Sequence, residues 1–348
     1  MNAPHIWVPR VGILEAEIAS PTAQIAAEYT VTRRKADTLE VVQEVGPFKN
    51  MITDQGLNRV GTNSFSSYAF VGTGTLPGAA GDATMGALLA WSQTSQVGWN
   101  PAILRGGAPE HWVQGSGTTR FLAGVATGTI TEVGVGWTTA SPINQANHRV
   151  SSRALIVDGS GNPVAITTQA DEVLDVTYSI RLYPYVGEDV VQTVNISGVT
   201  YTFTTRSLGV LSSPFLSVGG NTGSWPSGSQ TWSSGEVFFT GTAAGTPPAL
   251  APLTDATMLN QGASGVGVTT RQPYVDNSLK QEAVFRLELN QGNLAYGLRA
   301  MLTRPCAGYS PTSTFINTCY QSTITPAIPK TNQNVLQFGA SMTWSRKT

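Results

Sequence analysis

Between Asp171 and Pro184 the chain reads DEVLDVTYSIRLYP. Leu174, Val176, Tyr178, Ile180 and Leu182 occupy alternate positions, and Asp175, Thr177, Ser179 and Arg181 fall between them. A period of two puts the first set on one face of a β-strand and the second set on the other. One face must enter a core, and the other meets water or a partner. Ile130–Trp137 and Arg153–Val157 are further apolar, β-branched runs, and Asp158-Gly159-Ser160-Gly161-Asn162-Pro163 supplies a tight turn after the second. Short runs punctuated in this way are successive antiparallel strands.

The same pattern extends along the chain. Strands are predicted over Thr38–Val45, Tyr68–Thr75, Arg120–Ala126, Glu236–Thr240 and Val335–Trp344. Val190–Ser197 and Val199–Ser207 form a hairpin about Gly198, and Gln281–Leu289 and Leu294–Leu302 form another about Asn290–Asn293. Two short helices are expected. Phe48–Thr62 has Thr53 as N-cap, Asp54 in the first turn, Leu57 and Val60 facing inward and Gly61 at the end; Asp82–Trp91 has Asp82 as its cap. Pro4, Pro9 and Pro21 argue against a regular core strand or a long helix in residues 1–38. Ile6, Trp7, Val8, Val11, Ile13 and Leu14 nevertheless need cover. That segment is either an N-terminal arm laid on a neighbouring subunit, with Trp7 at the contact, or a piece folded back on its own domain. The expected fold is all-β, with antiparallel β-sandwich-like domains and one or two short helices. Its parts are an arm (1–38), a β-rich domain (39–207), a Gly/Ser/Pro-rich joint (208–236) and a second β-rich domain (237–348).

Chemistry is sparse. Of 348 residues only 12% are charged, about half the usual ~25%, and Gly, Ser, Thr, Asn and Gln take their place. A net charge of −1 gives no nucleic-acid footprint, and Arg33-Arg34-Lys35 is too short to be one. No apolar run reaches the ~18 residues a membrane span needs. The N-terminus lacks a basic region followed by an apolar core, so folding in the cytoplasm is expected. Cys306 and Cys319 flank a loop that a disulfide would close, but a cytosolic chain keeps them reduced. Val71-Gly72-Thr73-Gly74-Thr75 lacks the Lys-Ser/Thr of a phosphate loop, and Asp158–Asn162 lacks the closing Glu of a calcium loop. His111 and His148 have no nucleophile elbow beside them. No cofactor, metal or catalytic residue is therefore assigned. Trp225 and Trp232 sit in the Gly/Ser/Pro-rich stretch, where packing within one subunit explains them poorly; they are candidate contacts with a receptor or neighbour.

Five segments, in order, resemble structural proteins of tailed-bacteriophage tails and their fibres: PFKNMITDQGLNRV (47–60), YAFVGTGTLP (68–77), TRFLAGVATGTITEVGVGW (119–137), SSRALIVDGSGNP (151–163) and DEVLDVTYSIRLYP (171–184). The shared features are a Gly-x-Gly turn after a strand, a Glu-Val-Gly strand and a Ser-Arg-Ala-Leu strand. A closing Trp344-Ser345-Arg346 is also similar. The resemblance covers residues 45–205 and reaches the C-terminal part only loosely; Leu208–Thr269 departs from it. It implies a non-enzymatic virion part (a tail fibre, tail-tip or fibre-adaptor protein) that assembles with its own copies and other tail proteins, folded in the host cytoplasm and located in the virion tail. The alternatives are a receptor-binding protein recognising a host-surface glycan and a glycan-depolymerising tailspike.

Overall fold

The computed structural model describes residues 12–62, 65–93, 104–105, 113–183, 189–210, 238–239, 268–289, 297–303 and 318–347. The alternating stretch is strand β12 (Glu172–Tyr183), and it lies inside an eight-stranded sheet. The order is β16 (Val268–Arg271), β17 (Lys280–Leu287), β20 (Asn334–Arg346), β1 (Gly12–Lys35), β12, β7 (Val113–Phe121) and β6 (Leu104–Arg105), and β2 (Val41–Lys49) also pairs with β1. A second sheet runs β3 (Met51–Ile52), β10 (His148–Leu155), β9 (Glu132–Thr138), β4 (Tyr68–Gly72), β5 (Leu88–Gln93). β8 (Gly128–Ile130) and β11 (Ile166–Thr168) form a two-stranded ribbon. The fourth sheet runs β13 (Val190–Ile196), β14 (Val199–Val210), β19 (Thr318–Ile328), β18 (Leu298–Thr303), β15 (Phe238–Phe239). The pairings are antiparallel apart from β1 with β20, which is parallel. The fold is all-β, with one short helix, α1 (Asp54–Thr62), among the described residues.

The faces divide as the period of two requires. Val176, Tyr178 and Ile180 are buried, opposite Val31, Tyr29 and Ala27 of β1, which are buried as well, and Leu174 and Ile25 are buried on the same face. Each buried Val, Leu or Ile among them is worth roughly 1.5–3 kcal/mol of transfer free energy, before the entropy of ordering it. The Tyr29 and Tyr178 rings lie 4.9 Å apart, and the Tyr29 hydroxyl donates to Ser152 of β10, which ties the first sheet to the second. Further along, Phe338 of β20 meets Phe203 of β14 edge-on at 6.2 Å, joining the first sheet to the fourth. One apolar core runs through all of them.

Helix α1 begins as expected. Thr53 Oγ1 accepts the Gly56 N–H at 2.9 Å, and Leu57 and Val60 are buried. The β13–β14 hairpin turns at Ser197-Gly198, both with positive φ (52° and 85°), the type I′ geometry that matches strand twist.

Four expectations are corrected. Residues 12–35 of the predicted arm are β1, inside the largest sheet. Pro21 is tolerated because Ser20 and Pro21 fall together opposite Met342, at the register shift between Ala19 and Thr22; a bulge asks no ladder donor there. Asp82–Trp91 is an irregular segment followed by β5, since tertiary partners take its N–H groups (below). β17 and β18 belong to different sheets and do not pair as the predicted hairpin, and Asn290–Asn293 lie outside the described residues. Finally, β1 pairs with β20 and β14 with β19, so strands from both sides of 208–236 share two sheets and no domain boundary separates them.

Candidate functional site

The second sheet carries an acid where its neighbours are apolar. Glu132 opens β9, is fully buried, and stands beside Gly72 of β4 and Leu155 of β10 in the ladders. Its Oε1 accepts the N–H groups of Gly74 (2.9 Å) and Ala87 (2.8 Å); its Oε2 accepts the N–H of Gly86 (3.1 Å) and the Nε–H of Arg153 (2.6 Å). Four donors satisfy a carboxylate, which is what makes a buried charge tolerable. The Gly72-Thr73-Gly74 turn is its cradle. A Cβ on Gly74 would lie 2.4 Å from Glu132 Oε1, and one on Gly72 2.5 Å. The turn that invites a phosphate reading therefore holds an anion supplied by the chain itself.

Arg153 is equally occupied. Besides Glu132 it donates through Nη1 to Asp82 Oδ2 (2.6 Å) and through Nη2 to the Leu76 carbonyl (3.0 Å). Burial works against its charge, but the Glu132 and Asp82 carboxylates more than offset this, so its pKa lies above the usual arginine value and the cation is permanent. Asp82, the expected helix cap, instead joins this ion pair and accepts the Ala79 N–H at 2.8 Å.

His148, at the start of β10, closes the same loop from the other side. Its Nε2 accepts the Met85 N–H at 2.8 Å, and its Nδ1 lies 2.9 Å from the Asn144 carbonyl, so Nδ1 carries the proton in the neutral ring. Burial pushes its pKa down. Gln145 takes the Leu88 N–H and donates to the Met85 carbonyl. The N–H groups of Met85, Gly86, Ala87 and Leu88 are thus all bound by side chains of Glu132, Gln145 and His148. This is why DATMGALLAW, helical by local propensity, does not form a helix.

The outward face of the eight-stranded sheet holds a second network. Asp175 bridges Arg34 (3.0 Å) and Arg120 (2.7 Å), and Arg181 meets Glu28 (3.0 Å) and Gln114 (2.6 Å), while Glu172 meets Arg33 (3.3 Å) and Lys35 (3.8 Å) on the core-facing side of the same strand pair. Hydroxyl pairs Ser116–Ser179 (2.7 Å) and Thr118–Thr177 (2.8 Å) lie in the rows between. The Arg33-Arg34-Lys35 run is therefore matched by acids across the strand.

No family model, no curated protein and no solved structure matches this chain.

The remaining candidates fall out individually. Asp158 accepts the N–H groups of Ser160 and Asn162, both at 2.9 Å, so its oxygens serve its own turn; the Asn162 N–H foremost holds its pKa down. Trp344 Nε1 donates to the Leu57 carbonyl (2.8 Å), pinning α1 to β20, and Trp137 lies under the Arg59 guanidinium at 4.5 Å. Trp91 of β5 is partly exposed and meets Tyr68 edge-on. Trp7, Trp225, Trp232, His5, His111 and Cys306 lie outside the described residues, as does the side chain of Cys319. Among the described residues no three His, Cys, Asp or Glu side chains are grouped to hold a metal, and no helix is long and apolar enough to cross a membrane. Sequence inspection passed over Glu132 and Arg153. The signal was present: a lone acid in TITEVGVGW and a lone base in SSRALIV, each inside a run otherwise fit for a core.

Proposed function

We propose that this chain is a non-enzymatic structural subunit of a bacteriophage tail that assembles with its own copies. The observation that supports it most is where the features of the phage-tail resemblance meet. Gly72-x-Gly74, Glu132-Val133-Gly134 and Ser152-Arg153-Ala154-Leu155 lie far apart in sequence, yet they converge on one clasp, the Glu132 carboxylate held by Gly74 and Arg153. A pattern of this kind is maintained by architecture, because every polar atom of the clasp is spent on the chain itself. A catalytic acid or base must keep a lone pair or a proton for its substrate, and here Glu132, with four donors on its two oxygens, and His148, with both ring nitrogens bonded, keep none. The hydroxyl-rich outward sheet face and the low charge suit a subunit packed among neighbours.

The test is location. Mass spectrometry of purified virions should find the chain in fixed stoichiometry, and immunogold electron microscopy should place the label on the tail. Its absence from virions, or release of reducing sugar from host polysaccharide by the purified chain, would overturn the proposal.

A further inference from the structure

Strand β1 changes partners part-way along one edge, and a cleft opens at the change. Up to Ile25 that edge is held by β20, ending with Ile25 opposite Arg346 and the Lys347 N–H on the Ile25 carbonyl at 2.8 Å. From Glu28 onward it is held by β2, beginning with Glu28 opposite Lys49. Two strand ends therefore face each other across Ala26 and Ala27, and β12 borders the cleft on the other side through Arg181 and Tyr183. The space is about 120 Å³. At about 30 Å³ per water, it has room for some four waters, or for one phosphate or a short carboxylate.

Its charge is one-sided. Lys49, Arg181, Arg346 and Lys347 line it, and Glu28 is the one acid among the lining residues. Three of the cations are held in place. Arg181 Nη2 is 3.0 Å from Glu28 Oε1, Arg346 Nη2 is 2.7 Å from Asp54 Oδ1 outside the cleft, and the Lys347 ammonium sits 4.4 Å above the centre of the Tyr183 ring. Lys49 is exposed at the mouth. Held guanidinium and ammonium groups lining a concavity of this size are the recognition chemistry of an oxyanion.

We propose that this cleft binds a single oxyanionic group, a carboxylate or a phosphate, carried by a small ligand such as inorganic phosphate or an acidic sugar. The site does not depend on what the chain assembles into.

Isothermal titration calorimetry of the full chain with inorganic phosphate and with D-glucuronate, at low ionic strength, tests it and separates the two sources. The expected result is saturable one-to-one binding of at least one of them, weakened at least tenfold in Lys49→Ala/Lys347→Ala, lost in Lys49→Glu, and unchanged in Lys280→Ala, whose ammonium pairs with Glu282 in β17. Lys49 is exposed, so Lys49→Glu leaves the fold intact, and an unchanged melting temperature verifies this. Binding of neither anion, equal binding of neutral D-glucose and D-glucuronate, or undiminished affinity in the folded Lys49→Glu variant would overturn the proposal.

Discussion

Glu132 is fully buried. With the side chain truncated in Glu132→Ala, three backbone N–H groups and a buried guanidinium lose their acceptor together. Breaking a buried pair from one side costs about 3–5 kcal/mol, so urea denaturation should show a loss of that order. Arg153→Ala should cost a similar amount. The cradle makes its own prediction: in Gly74→Ala the new methyl would sit 2.4 Å from Glu132 Oε1. The overlap should cost about 1–3 kcal/mol without any change of charge, read as a lower denaturation midpoint. His148 supplies the pH dependence. Burial holds its folded pKa below the ordinary 6.5, so the unfolded chain takes up a proton first as pH falls. His148 therefore costs nothing above about pH 7, and stability declines as pH drops through 6.5 toward the folded value, by at most about 1.4 kcal/mol per pH unit. Denaturation at pH 7.5 and pH 5.5 should show that decline, and His148→Gln should flatten it.

At the scale of elements, α1 shows how a local signal survives. Thr53 accepts the Gly56 N–H as a cap and donates to the Val150 carbonyl at 2.6 Å. Thr53→Ala should lose about 1–2 kcal/mol and Thr53→Ser much less, measured by thermal unfolding. The cap was legible because Thr-Asp before an apolar face needs only its own turn to make sense. The faces of β12 were legible for the same reason: the period lies within one strand. What could not be read is what depends on distant neighbours. Glu132 and Arg153 meet only once β9 and β10 are in register. Asp82 sits before an apolar run and so looks like a cap, until the N–H groups behind it are claimed by Glu132, Gln145 and His148. In β1, Pro21 counted against a strand because a proline breaks a continuous ladder; the bulge opposite Met342 removes the objection, and no local pattern announces a bulge. Asn290–Asn293 is a turn sequence by composition, but pairing is settled by the strands on either side, which go to different sheets.

For the whole molecule, the placing of β1 reverses what deletion should do. An arm can be removed from a folded body; a strand with β12 on one edge, and β20 and then β2 on the other, cannot. A chain lacking residues 1–35 should be unfolded by circular dichroism, since it loses Ile25, Ala27, Tyr29 and Val31 from the core. The parallel pairing of β1 with β20 also has a consequence in time. Glu15 and Gln337, hydrogen-bonded across that pair, are 322 positions apart. At roughly 5–20 residues per second on the ribosome, β1 waits some 15–60 s for the neighbour that covers half its length. During that interval an emerging apolar edge is open to nascent chains on the same message.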